Sequence, residues 1–156
     1  MSFAEIKFVP FACEFATYRI AVGSQPNSEG DVAKLLEVGI THIINVCMED
    51  DPLGQYAARV SYLWNASPDD GSSKPPDWFY RSIDFATPML LDPLKKLFVH
   101  CRDGINRGPS TAYAILRVLG ITKNAAAMMI ALARPIDTFG MRYIKDADAA
   151  LAARGY

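Results

Sequence analysis

Apolar residues along this chain follow two alternating rhythms. Short runs rich in β-branched and aromatic residues, "YRIAVGSQP", "THIINVC", "VSYLWNA" and "KLFVHC", predict strands, and the unbroken apolar character of "THIINVC" marks a strand buried on both faces. Between them the spacing turns helical. Asn27 or Ser28 can cap a helix carrying Val32, Leu35, Leu36 and Val38, which Gly39 closes. From Pro76 or Asp77 a second helix with Trp78, Phe79, Ile83 and Phe85 on one face runs toward Leu91, and Pro88 is expected to bend or shorten it. "PSTAYAILRVLG", with Pro109 in its first turn and Gly120 past its end, predicts a third helix, and "TKNAAAMMIALA" and "MRYIKDADAALAA" predict two more. "SPDDGSSKPP" reads as a loop.

Strands that alternate with helices imply parallel pairing. The expected fold is therefore α/β, a central and mostly parallel sheet of four or five strands with helices on both faces. In such sheets ligands bind beyond the carboxyl ends of the strands, which is where "KLFVHC" delivers Cys101.

With 156 residues, about half of them apolar, residues 1–156 are expected to form a single domain with a real core. Sixteen basic against 17 acidic side chains leave no excess charge to draw in polyanions, so neither nucleic acid nor a membrane surface is expected as a partner. The opening "MSFAEIKFVPF" lacks the pattern of a secretory leader and no run approaches a membrane span; the expected location is the cytoplasm, and the expected state a monomer. Three cysteines, Cys13, Cys47 and Cys101, are too few and too odd for a disulfide framework. Two separated histidines and no metal-like cysteine spacing give no expected metal site, and no cofactor is expected.

The chemistry concentrates in "VHCRDGINRGPS", Val99–Ser110. A turn from a buried strand into a helix aims backbone N–H groups and the positive end of the helix dipole at one point, which suits a tetrahedral oxyanion. Cys101 sits beneath that point, where the same field favours thiolate over thiol. Gly104 permits the positive φ of a tight cradle, and Arg107 can return over it to grip two oxygens with its planar fork. The loop residues Arg102, Asp103, Gly104, Ile105, Asn106 and Arg107 form the expected phosphate-binding set.

With "HC", Gly104 three residues on and Arg107 six on, a buried strand before and a helix after, the chain resembles the dual-specificity branch of the cysteine-dependent protein tyrosine phosphatases. The likeness runs from about Arg19 to Tyr143 and includes "GSQP", "GITHIINV" and "DDGSSKPPDWF". It implies metal-independent hydrolysis of phosphate monoesters in two steps, through a phosphocysteine on Cys101 that water then breaks. Both steps need a carboxyl group, acid first and base second. Asp69 and Asp70 are the candidates; the family spacing, seven residues after the aromatic matching Tyr62 and ten before that matching Phe79, selects Asp69. His100 is implied to assist through the backbone and neighbours of Cys101. Trp64, Trp78, Phe79 and Tyr80 flank the acid loop, as a pocket wall or as core.

The chain departs from the resemblance in one place. Relatives carry Ser or Thr directly after the arginine, where a hydroxyl helps the thiolate leave; here stands Gly108, so either Ser110 takes over or the intermediate breaks down slowly. Some relatives pair a cysteine after a similar strand with the catalytic one, which implies Cys47 as a redox partner of Cys101. The implied substrates are phosphoproteins bearing phosphotyrosine and phosphoserine or phosphothreonine. Two alternatives stand beside this: an RNA 5′-phosphatase using the same residues, suggested by Asn106 before the arginine, and a non-catalytic phosphate-binding module.

Overall fold

The computed structural model describes residues 11–17, 19–134 and 141–156. The leader reading of residues 1–10 and the first residue of the expected opening strand, Tyr18, lie outside the described residues.

Five strands form one sheet in the order β1-β2-β5-β3-β4. They are β1 (Cys13–Phe15), β2 (Ile20–Gly23), β3 (His42–Asn45), β4 (Ser61–Trp64) and β5 (Leu97–His100). All neighbours run parallel except β1, which pairs antiparallel with β2 at one edge. The helices are α1 (Glu29–Glu37), α2 (Pro76–Leu90), α3 (Arg107–Val118), α4 (Lys123–Ala133) and α5 (Met141–Ala153), and a 3₁₀ segment spans Gly54–Arg59. Among the described residues no helix is long and apolar enough to cross a membrane.

Strand alternation sorts the core into two layers. Ala21, Ile43 and Phe98, side by side in register, pack on one face with Leu35 of α1 and Ile40. Ile20, Val22, Ile44, Leu97 and Val99 point to the other, where α2, α3, α4 and α5 cover them with Trp78, Ile83, Tyr113, Ile115, Ile130 and Leu151. Central β5 is buried along its whole length, as a strand covered on both faces must be.

The sequence-based expectations hold for these elements, with local exceptions. Ser28 is the cap of α1, its hydroxyl accepting from the Asp31 N–H. Val38 falls past the end of α1 and stays 45% exposed, so the apolar stripe is one residue shorter than expected. Phe85, at the edge of the buried face of α2, is partly buried against the same core and also makes an edge contact with His42, ring centroids 5.6 Å apart. The helix runs through Pro88 and stops two residues later at Leu90; a proline in the last turn forfeits one helical bond and leaves little helix to bend. β4 is the other edge strand, with Ser61 and Trp64 exposed.

Edge strand β1 depends on a glycine. A Cβ on Gly23 would lie 1.8 Å from the carbonyl oxygen of Ala12, whose own N–H donates to Ser24 Oγ at 2.9 Å. We expect Gly23→Ala to force β1 away from β2 and lower stability by about 1–3 kcal/mol, the usual cost of an overpacked position, read as a fall in melting temperature.

The register carries the site. Gly23, His100, Asn45 and Trp64 stand in one row at the carboxyl ends of four parallel strands. The residues one step further, Ser24, Cys101, Val46 and Asn65, therefore open the loops along a single rim.

Candidate active site

Cys101 is the first residue past β5 and only 2% exposed. Residues 102–106 loop outward and return to start α3 at Arg107, so the cysteine lies under the first turn of a 12-residue helix. Carbonyls of the loop are held from outside: Arg102 O accepts from the Gln25 N–H, Asp103 O from Arg134 Nη2 at 3.0 Å, and Gly104 O from Arg134 Nε at 3.4 Å. A peptide's C=O and N–H point opposite ways, so this turns the N–H groups of residues 103–105 inward, as an anion cradle requires. Gly104 has φ +73°, and a Cβ there would meet the Gly23 backbone at 2.9 Å. Both conditions exclude a side chain.

Arg107 is 6% exposed and anchored across the rim: Nη1 donates to Ser67 O at 2.8 Å and to Val46 O at 3.5 Å. Its Nε is buried and has no hydrogen-bond partner among the described residues. An unsatisfied buried guanidinium N–H is costly, and an oxyanion over the loop would satisfy it with a charge-assisted bond.

His100 is fully buried among three groups. Nε2 donates to Asp51 Oδ2 at 2.7 Å, and Nδ1 lies 3.2 Å from the Cys101 carbonyl and 3.7 Å from Cys47 Sγ. Asp51 is a residue the sequence did not single out. It is itself buried, and the loop that carries it is tied down by Asn45, whose Nδ2 donates to Glu49 O, and by Tyr62, whose hydroxyl donates to Asp50 and accepts the Asp51 N–H. Burial first, and then the charge of neighbouring Cys101, push the Cys47 thiol far up, which keeps it protonated at neutral pH.

The two acid candidates part company. Asp69 Oδ2 accepts from Asn106 Nδ2 of the phosphate loop at 3.3 Å, and Oδ1 accepts from the Tyr143 hydroxyl at 2.9 Å. Asp70 turns back on its own loop, accepting from the hydroxyl and N–H of Ser72 at 2.6 and 2.9 Å; the Ser72 hydroxyl, then its N–H, hold Asp70 below the usual carboxylate range. Cys101, Arg107 and Asp69 thus meet around the loop, and Asp70 does not.

The hydroxyl of Ser110 donates to Asn106 O at 2.7 Å and to Arg107 O at 3.1 Å, so its one proton is spent inside its own helix. Gly108 has a plain steric reason. A Cβ there would lie 2.9 Å from the Cys101 nitrogen and 3.1 Å from the His100 carbonyl carbon, because α3 rests directly on the backbone of the cysteine. Trp78 and Phe79 are core, 3% and 1% exposed, and Tyr80 bonds Ala150 O; only Trp64 is open at the rim, its Nε1 donating to Cys47 O. Arg134, Lys74 and Tyr143, which hold the two loops from outside, carry no motif by which a single sequence could mark them.

No family model matches the sequence. The coordinates superpose on human DUSP28 with a TM-score of 0.80 at 19% identity, covering 95% of this chain and 98% of that one. The fold is that of the dual-specificity phosphatases. Two other solved structures with this fold bracket the same architecture. The human tyrosine phosphatase-like serine/threonine/tyrosine-interacting protein matches at TM-score 0.74 and 18% identity over 91% of this chain and 97% of that one. PTPMT1 in complex with PI(5)P matches at 0.71 and 15% over 92% and 99%. The five-stranded, mostly parallel mixed sheet with its covering helices is the architecture of that fold.

Proposed function

We propose that this chain hydrolyses phosphate monoesters through a covalent phosphocysteine, with phosphoproteins as substrates. The observation that carries the reading is the buried Arg107 guanidinium, anchored to two strand-end loops while its Nε has no partner among the described residues, beside a cysteine under a helix N-terminus.

In the first step the Cys101 thiolate attacks phosphorus in line, the S–P bond forms as the P–O bond to the ester breaks, and Asp69 gives its proton to the departing oxygen. In the second, Asp69, now ionised, takes a proton from water as that water attacks phosphorus, releasing inorganic phosphate and the thiolate. Arg107 and the inward N–H groups of residues 103–105 hold the equatorial oxygens in both steps. His100, fixed by Asp51, packs against the backbone of Cys101 and so steadies the sulfur. No step calls for a metal, and among the described residues no group of three or more His, Cys, Asp or Glu side chains could hold one.

The rim favours a singly phosphorylated substrate. Arg102 pairs with Glu49 at 4.0 Å, and Asp103 adds a negative charge to the loop itself, which disfavours a 5′-triphosphate or an inositol polyphosphate. PTPMT1 is seen in complex with PI(5)P; for this chain RNA remains the second reading because of Asn106. We expect turnover of an aryl phosphate that is unchanged by EDTA, and a kcat/KM for phosphotyrosyl or phosphothreonyl peptides at least about tenfold above that for 5′-triphosphorylated RNA. Faster release of phosphate from RNA would reverse the assignment, and phosphate binding with no turnover of any ester would make the chain a silent binding module.

A further inference from the structure

We infer that Tyr143, on α5, is a positioning residue that selects which oxygen of Asp69 carries the transferable proton and holds the acid loop over the phosphate cradle. This rests on the reading of Asp69 as the general acid.

Asp69 is exposed and sits in a loop of Pro, Gly, Ser and Asp residues, where a carboxylate left to itself rotates freely. Tyr143 is the opposite, 1% exposed and fixed by the packing of α5 against α2 and α3. Its single oxygen makes two contacts. The hydroxyl donates to Asp69 Oδ1 at 2.9 Å and accepts the Gly71 N–H at 2.9 Å. One buried atom thereby sets both the rotation of the carboxyl group and the path of the backbone two residues on.

The consequence is a division of labour between the carboxyl oxygens. Both oxygens accept a hydrogen bond, Oδ1 from the phenol at 2.9 Å and Oδ2 from the amide of Asn106, the residue before Arg107, at 3.3 Å, so the acid proton goes to Oδ2, the more weakly held of the two. Lys74 reinforces the arrangement from the far side. Its Nζ donates to Pro68 O, one residue before the acid, and lies 4.9 Å from the centre of the Tyr143 ring, while its N–H donates to Asp146 of the same α5. The charged groups that face the phenol are thus Asp69, Asp70 on the same loop, and Lys74.

A misplaced acid leaves a specific signature. Esters whose leaving group is a weak base depart without a proton, and esters of phenol or an alcohol do not, so loss of acid catalysis grows with the basicity of the leaving group. We expect Tyr143→Phe to change kcat/KM, which reports only the steps through P–O cleavage, less than about threefold for 4-nitrophenyl phosphate and to lower kcat/KM for phenyl phosphate by about 10- to 100-fold, the range that a misplacement of about 1 Å produces. In an Asp69→Asn background, Tyr143→Phe is expected to have no further effect on either ester. Equal losses on both esters, or a further loss in the Asp69→Asn background, would overturn the inference and leave Tyr143 a packing residue. Asp69→Asn alone tests the underlying reading: if its effect does not depend on the leaving group, Asp69 is not the acid and both fall. Should Tyr143→Phe not fold, 3,5-difluorotyrosine at position 143 keeps the shape and ionises at lower pH; the leaving-group dependence must then steepen as that phenol loses its proton, and a pH-independent dependence rejects the role.

Discussion

Cys101→Ser will reduce turnover of every ester by at least about 10⁴-fold, the scale on which removal of a covalent nucleophile acts. It will leave the cradle able to bind phosphate. The two halves of this expectation come from different atoms. Turnover needs an ionised nucleophile, and a serine hydroxyl holds its proton far too tightly to supply one at neutral pH, even under the dipole of α3. Binding needs the inward N–H groups of residues 103–105 and the Arg107 fork, and these are held by Gln25, Arg134, Ser67 and Val46, none of which touches the sulfur in these contacts. Calorimetric titration with inorganic phosphate should give a dissociation constant within a few-fold of the unaltered protein. Turnover within tenfold of the original would remove Cys101 from the reaction.

Arg107→Lys comes next, with an expected loss of about 10²–10³-fold in kcat/KM, the cost of a missing charge-stabilising donor. Charge is conserved by this change and geometry is not. The guanidinium is held by the Ser67 and Val46 carbonyls through Nη1, and its buried Nε has no partner among the described residues and is free to bond an anion in the cradle. A lysine ammonium is a point donor that can serve the carbonyls or the anion, but not both. Steady-state kinetics should therefore show loss in both kcat and affinity for phosphate, and a loss below about fivefold would mean that net charge alone suffices.

The proposed nucleophile and clamp were legible in the sequence because they lie six residues apart, between a buried strand and a helix whose patterns are strong on their own. The proposed acid was legible from the residues alone as a pair, and only the family spacing selected Asp69. Asp69 and Asp70 are adjacent and chemically alike, and what separates them is that one faces Asn106 and the other Ser72. The supporting residues were not legible at all. Tyr143 meets Asp69 across 74 positions, His100 meets Asp51 across 49, and Arg134 meets Asp103 across 31. Such contacts come from tertiary packing and leave no periodic trace. β1 escaped for a different reason: three residues with Glu14 at their centre give no alternation to read, and the strand exists because Gly23 lets the Ala12 carbonyl approach. Gly108 was visible as an oddity, and its cause, the contact with the Cys101 backbone, was not.

That contact couples the Cys101 sulfur to the interior of the protein. α3 rests on the amide of Cys101 through a residue with no side chain, and a few positions later the same helix supplies Ala112, Tyr113, Ile115 and Leu116 to the core. There is no soft layer between the two, so a shift of the helix by a few tenths of an ångström moves the sulfur by the same amount. Substitutions deep in that helix, far from any phosphate, will act on reaction rate as mechanical inputs, and loss of heat resistance and loss of speed will travel together there.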